Sequence, residues 1–234
     1  MPPRPARPES VPPPSTIGEQ GRRLREGQVR ALARASRSRP AASRWGHVVR
    51  EGEDAGRRVL LIDGVVQSVL DDAAEDGYWG AMVPDVRPER ALVLGLGGGT
   101  IPRLLHARFG PLPTVGVDID ADVLDFAARE LALLPGLDIE LVQADAFELV
   151  HEAAERGDRF DYACVDIFRA DEMPPEVTRR PFLRALKRLL APRGLAAFNV
   201  FGDRRTDDRV RRIERVFRVL ERRPVEKNVI VWCR

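Results

Sequence analysis

The sequence predicts an α/β domain, a mostly parallel sheet with helices on both faces, preceded by a small antiparallel β-hairpin module. Three observations predict it. From Ala91 onward, short apolar runs alternate with segments of helical periodicity, the pattern of strands joined by helical crossovers. The first run, Ala91 to Leu94, stops at Gly95-Leu96-Gly97-Gly98-Gly99. A helix-compatible segment follows, then a second apolar run ending at Asp118, 21 residues after Gly97. Upstream, Asp63-Gly64 between two β-type runs is a strong signal for a tight hairpin turn.

Residues 1–16 are proline-rich and nearly free of large apolar side chains, which predicts disorder. Residues 17–44 are arginine-rich, with only Ile17, Leu24, Val29 and Leu32 spaced among the charges, enough for a marginal helix. The chain therefore divides into a Pro/Arg-rich tail over 1–40, a hairpin module over 41–83 and the main domain over 84–234. In the module, β-type runs cover 45–50, 58–62 and 65–70, and residues 71–90 hold a short helix-like segment and a proline-marked linker.

In the main domain, strands are predicted at 91–94, 114–118, 138–142, 160–165, 194–200 and 226–233, with helices near 100–109, 120–134, 146–156, 176–191 and 204–222. The helix at 120–134 puts Val123, Phe126, Ala127, Leu131 and Leu134 on one face. Asp120 caps its start and Pro135-Gly136 ends it. Pro192-Arg193-Gly194 reads as a stop between a helix and a strand. In the last helix, Val210, Ile213, Val216, Phe217 and Leu220 form the inward face and the arginines the solvated one.

Composition narrows the function classes. A formal net charge of +2 gives no strong global pull toward nucleic acid or membrane. The basic residues are arginines apart from Lys187 and Lys227, which reads as compositional bias. A nucleic-acid-binding arm over 21–39 lacks interleaved aromatics, so nucleic acid is not the expected partner. Cys164 and Cys233 lie in apolar runs and read as buried thiols, not as a disulfide or zinc site. His47, His106 and His151 are scattered without ligand spacing, so no metal is expected. There is no apolar run of about 18–20 residues to span a bilayer and no signal-peptide core, so a cytoplasmic chain is the expectation.

The candidate site follows from the sheet. In an open α/β sheet, ligands lie beyond the carboxyl ends of the strands, where strand order switches. Glycines after the first strand let backbone approach a ligand without a Cβ in the way. Asp118, Asp145 and Asp166 end the second, third and fourth strands, so all three acids are expected in one crevice. A P-loop is absent, and acids with little compensating positive charge suit a cationic ligand better than a polyphosphate. A sulfonium nucleoside fits, with Asp118 toward the ribose, Asp145 toward the adenine amine and acidic surroundings for the charged sulfur. This is the layout of a Rossmann-like nucleoside-binding domain.

These residues resemble the spermidine synthase-like family, within the wider S-adenosylmethionine-dependent transferase fold. The matching pieces are the Leu61 to Ser68 hairpin, Tyr78, the glycine turn, Gly116 to Val123, Gln143 to Glu148, and Phe160 to Asp166. The resemblance covers about residues 45–200, and the Asp63-Gly64-Val65-Val66-Gln67-Ser68 hairpin is its most specific part. It implies S-adenosylmethionine or its decarboxylated form as co-substrate and a small-molecule acceptor of unknown identity. The implied donor-binding residues are Gln67, Gly95, Gly97, Gly98, Gly99, Asp118, Ile119, Asp145, Ala146 and Asp166. Asp166 would be the acid-base residue and Tyr78 its catalytic neighbour in the pocket. The resemblance also implies a homodimer.

Several positions depart from the family pattern. An acid that holds the donor amine is Gly98 here, and a second acid three residues after Asp166 is Arg169. A glutamine after the pocket tyrosine is Trp79, and residues 222–227 show no counterpart of a tyrosine-containing loop. Asp171 and Glu172 are candidates for a displaced acid. An arginine about 4 Å from a diammonium acceptor costs of order 4 kcal/mol in a partly solvated site, which disfavours putrescine. Without the acid at 98, ordinary S-adenosylmethionine becomes a donor, with the glycine-turn amides expected to receive its carboxylate. Aminopropyl transfer, methyl transfer to a non-polyamine substrate, and a non-catalytic nucleoside-binding homologue all stay open at this level.

Overall fold

The structure is a computed structural model that describes residues 22–23, 41–42, 48–70, 77–169 and 172–234. The hairpin module comprises β2 (Ala41–Ala42), β3 (Val48–Asp54), β4 (Arg57–Ile62) and β5 (Val65–Val69) in one antiparallel sheet. Ile62 pairs with Val65, so Asp63 and Gly64 form a two-residue turn, with φ of 52° and 81°. Positive φ at both positions is what an Asp-Gly turn supplies cheaply. Ala55-Gly56 makes a second such turn between β3 and β4, with φ of 50° and 78°.

The main sheet has the order β1-β8-β7-β6-β9-β10-β12-β11. Its members are β1 (Arg22–Arg23), β6 (Ala91–Leu94), β7 (Thr114–Asp118), β8 (Ile139–Gln143), β9 (Phe160–Val165), β10 (Leu190–Phe201), β11 (Val219–Val225) and β12 (Asn228–Cys233). Strands β8, β7, β6, β9 and β10 are mutually parallel, and β12 runs antiparallel to β10. The helices are α1 (Tyr78–Ala81), α2 (Thr100–Phe109), α3 (Ala121–Leu131), α4 (Ala146–Arg156), α5 (Arg180–Leu189) and α6 (Thr206–Glu214), with a 3-10 turn at Pro175–Thr178. The predicted fold class is the observed one. Strand order runs β6, β7, β8 to one side, then jumps back to β9, which sets the switch point beside β6.

The central strands are buried on both faces, as parallel sheets require. One face packs Val150, Phe182, Leu186 and Ile213 of α4, α5 and α6. The other packs Ile101, Leu105, Ala127 and Leu131 of α2 and α3. The hairpin module sits on α3, with Val49, Leu60 and Leu70 against Val123 and Phe126. Both cysteines are buried and unpaired. No helix among the described residues is long and apolar enough to cross a membrane.

The predicted helix at 204–222 is overturned. The helix ends at Glu214, and residues 219–225 form β11 in a hairpin with β12. Phe217 swings inward to meet Phe198 edge-on at 5.6 Å, and Leu220 is left 42% exposed. Pro224 fits an edge strand, where its missing N–H costs nothing. The helix predicted at 176–191 is a 3-10 turn and a shorter α5, because Arg179 is extended between them. Residues 190–194 join β10 through a register shift before Leu195, so the stop at Pro192-Arg193-Gly194 lies inside a strand, with Arg193 at φ 82°. The helix at 120–134 is shorter, with Asp120 capping α3 through the Asp122 N–H at 2.9 Å. Of the β-type run at 45–50, residues 45–47 lie outside the described residues. So do the tail over 1–40, apart from the Arg22–Arg23 pairing with β8, and most of the arginine-rich arm.

Candidate functional site

The glycine turn is built by backbone constraints. Gly95 sits at φ 82°, and a Cβ there would lie 2.1 Å from the Asp166 carbonyl oxygen. Gly97 sits at φ 54°, where a Cβ would meet Ser68 Oγ at 2.8 Å. Gly98 and Gly99 serve packing. Their Cβ atoms would press on Ser68 and on Leu131, and neither glycine lines the cavity described below.

The hairpin module clamps this turn. Ser68 Oγ accepts the Gly98 N–H at 2.7 Å and donates to the Gln67 carbonyl at 2.7 Å. Thr100 Oγ1 donates to the Val69 carbonyl at 3.0 Å. The upstream hairpin and the first βα turn thus form one hydrogen-bonded unit. The turn's own amides are all engaged: Gly95 and Leu96 donate to Val117 O, Gly99 to Leu96 O, and Gly97 to Asp118 Oδ2 at 3.1 Å. The expectation that free amides there receive a donor carboxylate does not hold.

A cavity of about 770 Å³ opens at the carboxyl ends of β6 to β10, a size ordinary for a small-molecule site. Gln67, Tyr78, Gly95, Gly97, Asp118, Ile119, Asp145, Ala146 and Asp166 all line it, so the structure brings together all the predicted site residues except Gly98 and Gly99. Asp118 accepts from the N–H groups of Gly97 and Asp120, both at 3.1 Å. Burial outweighs these bonds and raises its carboxyl to about 6, although part of its surface still faces the cavity. Asp145 caps α4 through the Phe147 N–H at 2.8 Å, and its other oxygen remains for a ligand.

Asp166 closes the far end. Its Oδ1 accepts from Asn199 Nδ2 at 2.8 Å, and the Tyr78 hydroxyl donates to the same carboxylate. Burial pushes Asp166 up to about 6, and these two bonds hold it from rising further. Burial and the Asp166 charge push the Tyr78 phenol well above its ordinary range, so it stays neutral and remains a donor. The Tyr78 ring packs on Trp79 with centroids 4.1 Å apart.

Two site residues escaped the sequence reading. Asn199 is buried at the end of β10, and its Oδ1 has no partner. A lone amide in the apolar run Ala196 to Phe201 was the available signal. Asn228, which follows the β11–β12 turn, lines the cavity without a local signal. The Glu226 charge of that turn adds a small push to the Tyr78 phenol, behind burial and Asp166. Arg169 lines the cavity, while Glu172 does not. Their backbones pair, N···O 2.9 and 3.1 Å. Asp171 lies outside the described residues. No group of three or more possible metal ligands occurs among the described residues.

A methyltransferase-domain model matches residues 91–194. A polyamine aminopropyltransferase of Chromobacterium violaceum is 30% identical over 198 residues, 79% of this chain and 74% of that protein. The chain belongs to the polyamine aminopropyltransferase family. A second family member, from Vibrio vulnificus, is 30% identical over 115 residues, 49% of this chain but only 38% of that protein. The match thus spans well under two thirds of that relative. The family shares its fold with methyltransferases: human methyltransferase-like protein 13, solved in complex with SAH, is 25% identical over 63% of this chain and 72% of that one, at a TM-score of 0.57.

Proposed function

We propose that this chain is an alkyl transferase that takes S-adenosylmethionine or its decarboxylated form and transfers an aminopropyl or methyl group to a small acceptor. The observation that carries this reading is the convergence of Asp118, Asp145 and Asp166, from the ends of β7, β8 and β9, on one cavity beside the Gly95–Gly97 turn that follows β6. Asp118 would accept the ribose hydroxyls and Asp145 the adenine amine. The bound donor would supply a carbon activated by positively charged sulfur, which passes to the acceptor nitrogen as the carbon–sulfur bond breaks onto sulfur.

The chain's own work is at Asp166. An attacking amine must be neutral, and a carboxylate with a pKa near 6 is ionised at neutral pH and ready to take its proton. Asn199 and Tyr78 fix the carboxylate's orientation. The Tyr78–Asp166 hydrogen bond favours a catalytic chain over a nucleoside-binding homologue, which has no use for an oriented acid beside the acceptor.

Methyl transfer to a non-polyamine substrate is the second reading. Gly98 leaves no acid at the place where family members hold the donor amine, and the human neighbour is a methyltransferase-like protein. Calorimetric titration with S-adenosylmethionine and, separately, with its decarboxylated form tests both. Tighter binding of the decarboxylated form supports aminopropyl transfer, and tighter binding of the carboxylated form supports methyl transfer. Binding of neither contradicts the sulfonium-donor reading.

A further inference from the structure

The charges lining the cavity are distributed unevenly. Asp118, Asp120 and Asp145 cluster at one side, and Asp166 sits opposite with Tyr78 and Asn199. Arg169, three residues past Asp166, is the one cationic side chain among the described residues lining the cavity. Its guanidinium makes no ion pair or side-chain hydrogen bond with any described residue, whereas most cavity carboxylates already hold backbone or side-chain donors. Asn199 Oδ1 is buried beside Asp166 without a donor. The acceptor end therefore presents three features together: a carboxylate near its ionisation point, an amide oxygen lacking a donor, and a guanidinium without a side-chain partner among the described residues.

A diamine satisfies the first two and is repelled by the third. A molecule with an amine at one end and an anion at the other satisfies all three. Its N–H groups would reach Asp166 and Asn199 Oδ1, and its anion would take the planar two-pronged donor set that guanidinium offers carboxylates. We propose that the acceptor is an amino acid-like molecule, an amine carrying a carboxylate or similar anion, and that Arg169 selects it over diamines. This rests on the alkyl transferase reading above.

The transfer balances without a further reactant. The neutral amine nitrogen forms the new carbon–nitrogen bond, the sulfonium leaves as a neutral thioether, and the amine proton passes to Asp166 and then to water. Arg169 makes and breaks no bond and acts as a specificity residue.

The test compares four-carbon probes that differ only at the far end: putrescine and 4-aminobutyrate. Donor binding is first established by titrating S-adenosylhomocysteine and 5′-methylthioadenosine. With the donor site filled, the affinity of each probe is measured on wild type, Arg169→Gln and Arg169→Asp. The expected result is that wild type prefers 4-aminobutyrate, that Arg169→Gln lowers this affinity roughly 10- to 100-fold, and that Arg169→Asp inverts the order in favour of putrescine. Both variants change an exposed side chain, and unchanged nucleoside affinity shows that they remain folded. The proposal is overturned if wild type prefers putrescine, if neither probe binds, or if the variants leave the order unchanged. It is also overturned if Arg169→Gln weakens S-adenosylmethionine but not its decarboxylated form, since the anion would then belong to the donor. Failure of both nucleosides to bind would instead sink the transferase reading beneath it.

Discussion

The two ends of the cavity are made in different ways. The end proposed for the donor, Gly95 to Gly97 with Asp118 and Asp145, is built from residues adjacent in sequence to the strand tips that place them, and its hydrogen bonds are mostly to backbone. The end proposed for the acceptor assembles Tyr78, Asp166, Arg169, Asn199 and Asn228 from four separate segments, and its contacts run side chain to side chain. Backbone geometry fixes the first, while long-range packing sets the second. The departures from the family pattern fall at both ends, Gly98 in the glycine turn and Trp79 and Arg169 on the side of Asp166.

The largest expected effect comes from breaking the backbone of the donor end. Gly95→Ala puts a Cβ into the Asp166 carbonyl at a left-handed φ and is expected to cost about 2–5 kcal/mol. Gly64→Ala, at φ 81° but with nothing within 4 Å, should cost about 1 kcal/mol. Chemical denaturation of both variants checks this, and equal costs would contradict the claim that close approach, not φ alone, demands glycine at 95.

Next is the acceptor end. Asp166→Asn should lower turnover roughly 10²- to 10⁴-fold while leaving nucleoside affinity in place, read by steady-state rates and calorimetry on the same sample. Parallel loss of both would show that the two ends are not separable.

A third effect concerns pH. Asp118 and Asp166 both rise from 3.8 to about 6 on folding. The folded state therefore binds protons more tightly than the unfolded chain, and this contribution to stability is complete below about pH 4 and lost as pH rises through about 6. Thermal melts of wild type against Asp166→Asn should show the variant gaining relative stability between pH 4 and 8. A constant difference would contradict the buried-carboxylate account. Turnover should rise over the same window as Asp166 ionises.

The smallest effect sharpens that limb. The Asn199 hydrogen bond holds the Asp166 pKa down, so Asn199→Leu should move the acid limb of the rate profile to higher pH. An unmoved limb with reduced rate would leave Asn199 a packing role only.

This contrast also explains what could be read in advance. The strands at 91–94, 114–118 and 160–165 and the helices at 100–109 and 146–156 were legible because apolar period and turn residues agree there. The Asp63-Gly64 turn was legible because its backbone needs a positive φ at both positions. The segment after Glu214 was not. Its apolar positions fit a helical face, and only pairing with β12 together with the burial of Phe217 decides for a strand. Gly98 and Gly99 look like ligand-facing glycines, but they are small because Ser68 and Leu131 press on them. Asn199 shows in the sequence only as a lone amide in an apolar run, and its partner is set only when β10 lies beside β9.

The most direct measurement is calorimetric titration of 5′-methylthioadenosine, the adenosine part common to both donor forms, into wild type, Asp118→Asn and Asp166→Asn. The account predicts saturable binding to wild type, roughly 10- to 100-fold weaker binding to Asp118→Asn, and wild-type affinity in Asp166→Asn. Equal loss in both variants, or none in Asp118→Asn, would contradict a nucleoside site built on the β6–β7 turn and separable from the acceptor end.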